Sequence, residues 1–155
     1  MDMCWAKLLA HRAAINLAAL PVALALLLPA PALADAVEAF ARQLGLRDVA
    51  GFVETVRSLD RDGRLPARYL TKNEAEVRGW SPGMDLWKVA PGKSIGGDRF
   101  GNRERLLPTA PGRRFFEADL DYQGGARGSR RLVWSSDGQR WVTVDHYRSF
   151  REVPR

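Results

Sequence analysis

Apolar positions along this chain change their period once, and that change predicts the architecture. Val37, Phe40, Ala41 and Leu44 recur at i, i+3, i+4 and i+7, which predicts an amphipathic helix over Asp35–Leu44 with Gly45 as its stop. The same spacing restarts at Val49, Phe52, Val53 and Val56 behind Asp48, a residue suited to cap a second helix. Two helices or one kinked helix both fit this pattern. Asp60–Gly63 reads as a polar turn. Thr71-Lys72-Asn73-Glu74 matches the capping box and predicts a short helix from Lys72 to Arg78, ended by Gly79, with Trp80 as a core anchor. Met84–Ala90 has room for one helical turn.

From Arg114 the period is two. Phe116, Ala118, Leu120 and Tyr122 fall on one face of a predicted strand, and Phe115, Glu117, Asp119 and Asp121 on the other. Further strands are expected over Arg130–Ser135 and Trp141–Tyr147, joined by an Asp137-Gly138 hairpin, with a short edge in Ser149–Val153. Helices first and strands after give an α+β domain, its N-terminal helices packed on a C-terminal antiparallel β-sheet.

The N-terminal segment stands apart. Lys7 and Arg12 precede an apolar run over Leu17–Leu28, and Ala32 and Ala34 fit a small-residue cleavage pattern. Residues 1–34 read as a secretory signal peptide, leaving one domain over residues 35–155. The apolar run is short of the roughly 20 residues that span a bilayer. A secreted, extracellular product with no membrane attachment after cleavage is the expectation. Cys4 and His11 lie in this leader, so the domain has no cysteine and His146 is its only histidine. That excludes disulfides and falls short of a zinc ligand set. No cofactor or metal is expected. The whole chain carries a net charge of +6 with 24 Lys and Arg, a balance that favours a polyanionic partner.

Candidate chemistry narrows the partner. Gly92-Lys93-Ser94 lacks the spacing of a nucleotide phosphate loop and is set aside. Glu117 on the predicted strand, His146 near the last strand, and Arg127 and Arg131 between them are the groups that acid–base chemistry on a phosphate needs. Metal-free RNA cleavage takes a base for the 2′-hydroxyl proton and an acid for the leaving 5′-oxygen, and a carboxylate with an imidazole supplies both. Arg127, Arg131 and Lys72 oppose the phosphoryl charge. Asp119, beside Glu117, is expected to hold an arginine in place, and Arg130 to face away from Arg131.

Lys72, Glu117, Asp119 and His146 sit in blocks that resemble the barnase–binase family of secreted bacterial ribonucleases. The blocks are Leu65-Pro66, Tyr69–Ala75, Gly79-Trp80, Val89–Asp98, Asn102-Arg103-Glu104, Glu117-Ala118-Asp119, Ser135-Ser136-Asp137 and Asp145-His146-Tyr147. The resemblance implies a guanyl-preferring endoribonuclease of the microbial ribonuclease fold, a monomer that forms a 2′,3′-cyclic phosphate and then hydrolyses it. It implies Glu117 as general base, His146 as general acid, and Lys72, Arg127 and Arg131 as phosphate ligands. It also implies a guanine loop over Phe100, Asn102, Arg103 and Glu104, with Tyr147 lining the site, and an intracellular protein inhibitor of the barstar type as partner. Gly101 stands where the family usually has serine, and Leu59–Arg64 is longer than the family's turn. Two other classes compete: an inactive RNA-binding or toxin-like module of the same fold, and a basic domain acting at membrane surfaces. The second lacks a strongly basic amphipathic helix.

Overall fold

The computed structural model describes residues 30–155, with side chains from Asp35 onward. The apolar run Leu17–Leu28 of the expected signal peptide lies outside the described residues. Two 14-residue helices come first, α1 (Ala30–Gln43) and α2 (Val49–Asp62). They are separate helices. Gly45 adopts φ 67°, and the amides of Gly45 and Leu46 return to the carbonyls of Arg42 and Ala41 at 3.0 Å each, which closes α1 in a Schellman motif. The Asp48 carboxylate then caps α2 by accepting the Gly51 amide at 2.9 Å. Helix α2 runs on to Asp62, so most of the expected turn at Asp60–Gly63 is its last turn and Gly63 is its stop.

Next come β1 (Tyr69–Leu70), α3 (Lys72–Val77), a 3-10 turn at Leu86–Lys88 and β2 (Ser94–Phe100). The strands β3 (Phe115–Asp119), β4 (Arg131–Ser135), β5 (Arg140–Thr143) and β6 (Arg151–Glu152) complete one six-stranded sheet in chain order. Strand β1 joins β2 in parallel and every other pairing is antiparallel. The α+β expectation holds. Thr71 and Glu74 form the expected capping box of α3, and Trp80 is buried with its indole N–H donating to the Met84 carbonyl.

The helices lie on the sheet face that carries Leu120, Leu132 and Val142, where Phe40, Phe52 and Val56 fill the main core. The opposite face is not open. Phe115, Val133 and Trp141 pack with Phe100 from the end of β2, Leu107 from the long β2–β3 loop and Phe150 from the C-terminal loop. A third cluster packs α3 and the 3-10 turn on Leu70 and Ile95. The face that carries Phe115, Glu117 and Asp119 is therefore covered, with Glu117 at 9 % and Asp119 at 3 % exposure.

A bulge shapes β2. Gly96 pairs with Ala118 and Asp98 with Glu117, so Gly97 is the extra residue, at φ 99°. The bulge brings β1 so close that a Cβ on Gly96 would lie 2.7 Å from the Tyr69 ring and 2.8 Å from the Ala118 Cβ.

Two other expectations are corrected. Strand β3 ends at Asp119, and Asp121, at φ 57°, turns back toward the helices, where its carboxylate accepts the Arg47 and Asp48 amides and pairs with Arg130 at 2.7 Å. Strand β5 ends at Thr143, because its partner β4 begins at Arg131, opposite that residue. Asp145, His146 and Tyr147 thus belong to a loop.

Candidate active site

One end of the sheet carries a polar row. Asp119, Arg131 and Thr143 face one another across β3, β4 and β5. Asp119 is nearly inaccessible and takes two guanidinium groups. Arg127 grips it bidentately, with Nε and Nη2 at 2.6 and 2.7 Å, and Arg131 Nε stands 2.9 Å from Oδ1. The Arg131 contact is ionic, its angle lying outside hydrogen-bond geometry. Arg131 is further fixed by its own Nη1, which donates to the Gly128 and Arg130 carbonyls. The two bonds to Asp119 raise the Arg127 pKa above its ordinary value, against the effect of burial. Asp119 thus holds both arginines, and Arg130 faces away toward Asp121, as expected.

Glu117, two residues earlier, shares this face. Its Oε1 receives Lys72 Nζ at 3.4 Å and its Oε2 receives the Tyr147 hydroxyl at 2.6 Å. Lys72 reaches Glu117 because its own amide donates to Asp98 at 3.0 Å, which anchors the first turn of α3 beside the β2 bulge. Burial, and then the bond to Glu117, push the Tyr147 pKa up to about 12, so this phenol keeps its proton and stays a donor.

Thr143 connects the sheet to the His146 loop. Its hydroxyl donates to Asp145 at 2.9 Å and accepts the Tyr147 amide at 2.9 Å. Asp145 also accepts from the Arg148 and Ser149 amides and the Ser149 hydroxyl. These donors, those of Ser149 foremost, hold its carboxyl down to about 2. The network sustains an unusual backbone, since His146 and Tyr147 are both left-handed at φ 57° and 70°, each a conformation that costs about 1–2 kcal/mol. It leaves the His146 ring exposed, 5.0 Å from that of Tyr147. The role of Asp145 is legible in the sequence only through its short-range partners Thr143 and Ser149.

Beside Glu117 and Tyr147 opens a groove of about 870 Å3 whose other wall is the 100–105 loop. Phe100 stacks on Tyr147, centroids 5.3 Å apart at 19°. Arg103 and Glu104 project into solvent with no side-chain hydrogen bond among the described residues. Asn102 differs from its neighbours. It is buried at φ 43°, and its amide group donates to and accepts from the Leu107 backbone at 2.9 and 3.0 Å. Its side chain closes the loop on itself and serves the site by shaping that loop. Arg99, Arg113 and Arg114 also line the groove, and single-residue reading did not find them.

A family model described as ribonuclease matches residues 54–154. A ribonuclease of Heyndrickxia coagulans is 52% identical over 91 residues, which span 58% of this chain and 84% of that protein. Ribonucleases of Bacillus intermedius and Bacillus pumilus are each 52% identical over 91 residues, 58% of this chain and 56% of those proteins.

Proposed function

This chain belongs to the ribonuclease family, and from that premise we propose that it is an endoribonuclease which cleaves single-stranded RNA after guanosine without a metal. The observation that carries the reading is the grouping around Glu117 of Lys72 and Tyr147 as donors to its carboxylate, the exposed His146 ring 5.0 Å from that of Tyr147, and, two residues along β3 at Asp119, two arginines on a common counterion. Glu117 takes the proton of the 2′-hydroxyl, whose oxygen attacks the adjacent phosphorus. His146 protonates the departing 5′-oxygen, leaving a 2′,3′-cyclic phosphate. In the second step the roles reverse, with His146 drawing a proton from water and Glu117 returning one to the 2′-oxygen.

Lys72, Arg127 and Arg131 hold the phosphoryl oxygens. Since Asp119 fixes the arginines before substrate arrives, their charge needs no rearrangement as the pentacoordinate state forms. Tyr147 keeps the Glu117 oxygen oriented. Guanine enters beside Phe100, with Glu104 accepting from the base edge, Arg103 packing over it and Asn102 keeping the loop in shape; reading a base by its edge is how unpaired RNA is distinguished. In this reading residues 1–34 are a secretory signal, the domain acts outside the cell as a monomer, and an intracellular protein inhibitor of the barstar type shields the producer.

The test incubates the protein with EDTA and a short RNA containing one guanosine, beside a matched DNA. Cleavage after guanosine that leaves a cyclic phosphate and spares DNA is expected, and His146→Ala should abolish it while RNA binding persists. Cleavage at every base would remove the guanine assignment of Arg103 and Glu104. Parental rates in His146→Ala would remove the assignment of the acid.

A further inference from the structure

Across the sheet from the groove, on the face that carries Ala118, stands a row the proposed reaction does not use. Arg99, Phe116, Trp134 and Arg140 face one another on β2, β3, β4 and β5. The Arg99 guanidinium lies over the Phe116 ring, 5.6 Å from its centroid, and Phe116 stacks on Trp134 with centroids 5.7 Å apart at 25°. Both rings are half-buried. They form the wall of a hollow of about 480 Å3 whose other side is the Gly63–Ala67 segment, and of a smaller one of about 180 Å3 that reaches Arg140.

The charges around these hollows are uneven. Arg140 is neutralised by Asp60, and Glu74, the one carboxylate lining the larger hollow, has an oxygen taken by the Thr71 amide and hydroxyl. Arg64 and Arg99 are exposed, and among the described residues neither makes an ion pair. Arg99 also lines the catalytic groove, so it belongs to both faces. Strand β1 pairs with β2 only at Ser94 and Ile95, and α3 is anchored at Asp98, which leaves the edge at Arg99–Phe100 for a chain to pass around.

We propose that the hollow between Phe116–Trp134 and Gly63–Ala67 is a second nucleobase subsite for the same single-stranded RNA, reached from the groove around the β2 edge. The proposal rests on the ribonuclease reading for its substrate class. An aromatic wall takes a base of any identity by stacking, and unpaired arginines at the rim and at the crossing take the flanking phosphates. An aliphatic or acidic peptide would leave Arg64 and Arg99 or the stacked rings without complement. The subsite lengthens the preferred substrate and adds no base specificity.

The test measures binding of the full chain to a 2′-O-methyl octanucleotide, which lacks the attacking hydroxyl, and to a 2′-O-methyl dinucleotide. Trp134→Gln and the exposed Arg64→Glu should each weaken octanucleotide binding about tenfold, the size of one stacked base or of a lost and reversed phosphate contact. Dinucleotide binding should not change, and Trp134→Phe should keep most of the octanucleotide affinity. An octanucleotide-to-dinucleotide affinity ratio that is the same in both variants and the parent overturns the subsite. So does Trp134-dependent self-association without RNA, which would give the hollow to a second copy. Cleavage of an unmodified octanucleotide is scored separately: Trp134-dependent binding without cleavage would sink the ribonuclease reading and leave the subsite standing.

Discussion

Replacing Asp119 by Asn should be the most damaging single change that touches no substrate. The substitution preserves shape and removes one negative charge from between two guanidinium groups. At a charge separation of about 4 Å and an effective dielectric near 20, each pair is worth about 4 kcal/mol before desolvation is subtracted. In the variant the Arg131 side chain, 4 % exposed, and the Arg127 side chain, 24 % exposed, stay charged without their shared counterion. Leaving a buried charge unpaired costs about 3–5 kcal/mol net. Urea unfolding should show that loss, and the melting temperature should fall by roughly 10–20 °C. Because Asp119 is almost inaccessible, 0.5 M salt should not erase the loss, as it would for a surface pair. Arg127 and Arg131 should also lose their fixed positions, lowering kcat more than it raises KM at temperatures where the variant is folded. A destabilisation under about 1 kcal/mol, or one that salt removes, would refute the view that one carboxylate organises both arginines.

Three other perturbations probe the supports of the site. The Tyr147 phenol has its pKa raised to about 12, so between pH 10 and 12 the unfolded state binds fewer protons than the folded one; stability should fall by about 2–3 kcal/mol across that window, and Tyr147→Phe should flatten that part of a pH-dependent melting curve. The Asp145 carboxyl is held down to about 2, so its contribution is complete above pH 4 and lost as pH falls toward 2; Asp145→Asn should remove that dependence and lower kcat by loosening the His146 loop, and an unchanged kcat would release Asp145 from its positioning role. Gly96→Ala should destabilise by about 2 kcal/mol, since the two nearest of the new methyl's three close neighbours, on Tyr69 and Ala118, are core atoms of the sheet; melting at the parental temperature would mean that β1 moves freely away from β2.

The sequence by itself determined what depends on neighbours within a few residues. The Schellman stop at Gly45, the Asp48 cap, the Thr71–Glu74 box and the alternation through Phe115–Asp119 are local hydrogen-bond and side-chain geometry, and local pattern reads them directly. Residue type and pattern also singled out Glu117, His146, Arg127 and Arg131 as a candidate set, since a carboxylate, an imidazole and two guanidinium groups together suit acid–base chemistry on a phosphate. Tertiary structure decided where elements end and what each polar group serves. Alternation continues past Thr143 and past Asp119, yet both strands stop there, because a strand exists only as far as its partner runs. Asp121 looks equivalent to Asp119 in the pattern, but the helix-capping amides of Arg47 and Asp48 turn it to the other side. Asn102 sits among ligand candidates, and the Leu107 backbone takes its side chain. Residues far apart in the chain, Leu107 and Phe150 among them, cover one sheet face, and alternation carries no record of that cover. Periodicity records which side a residue faces; only packing records what is waiting on that side.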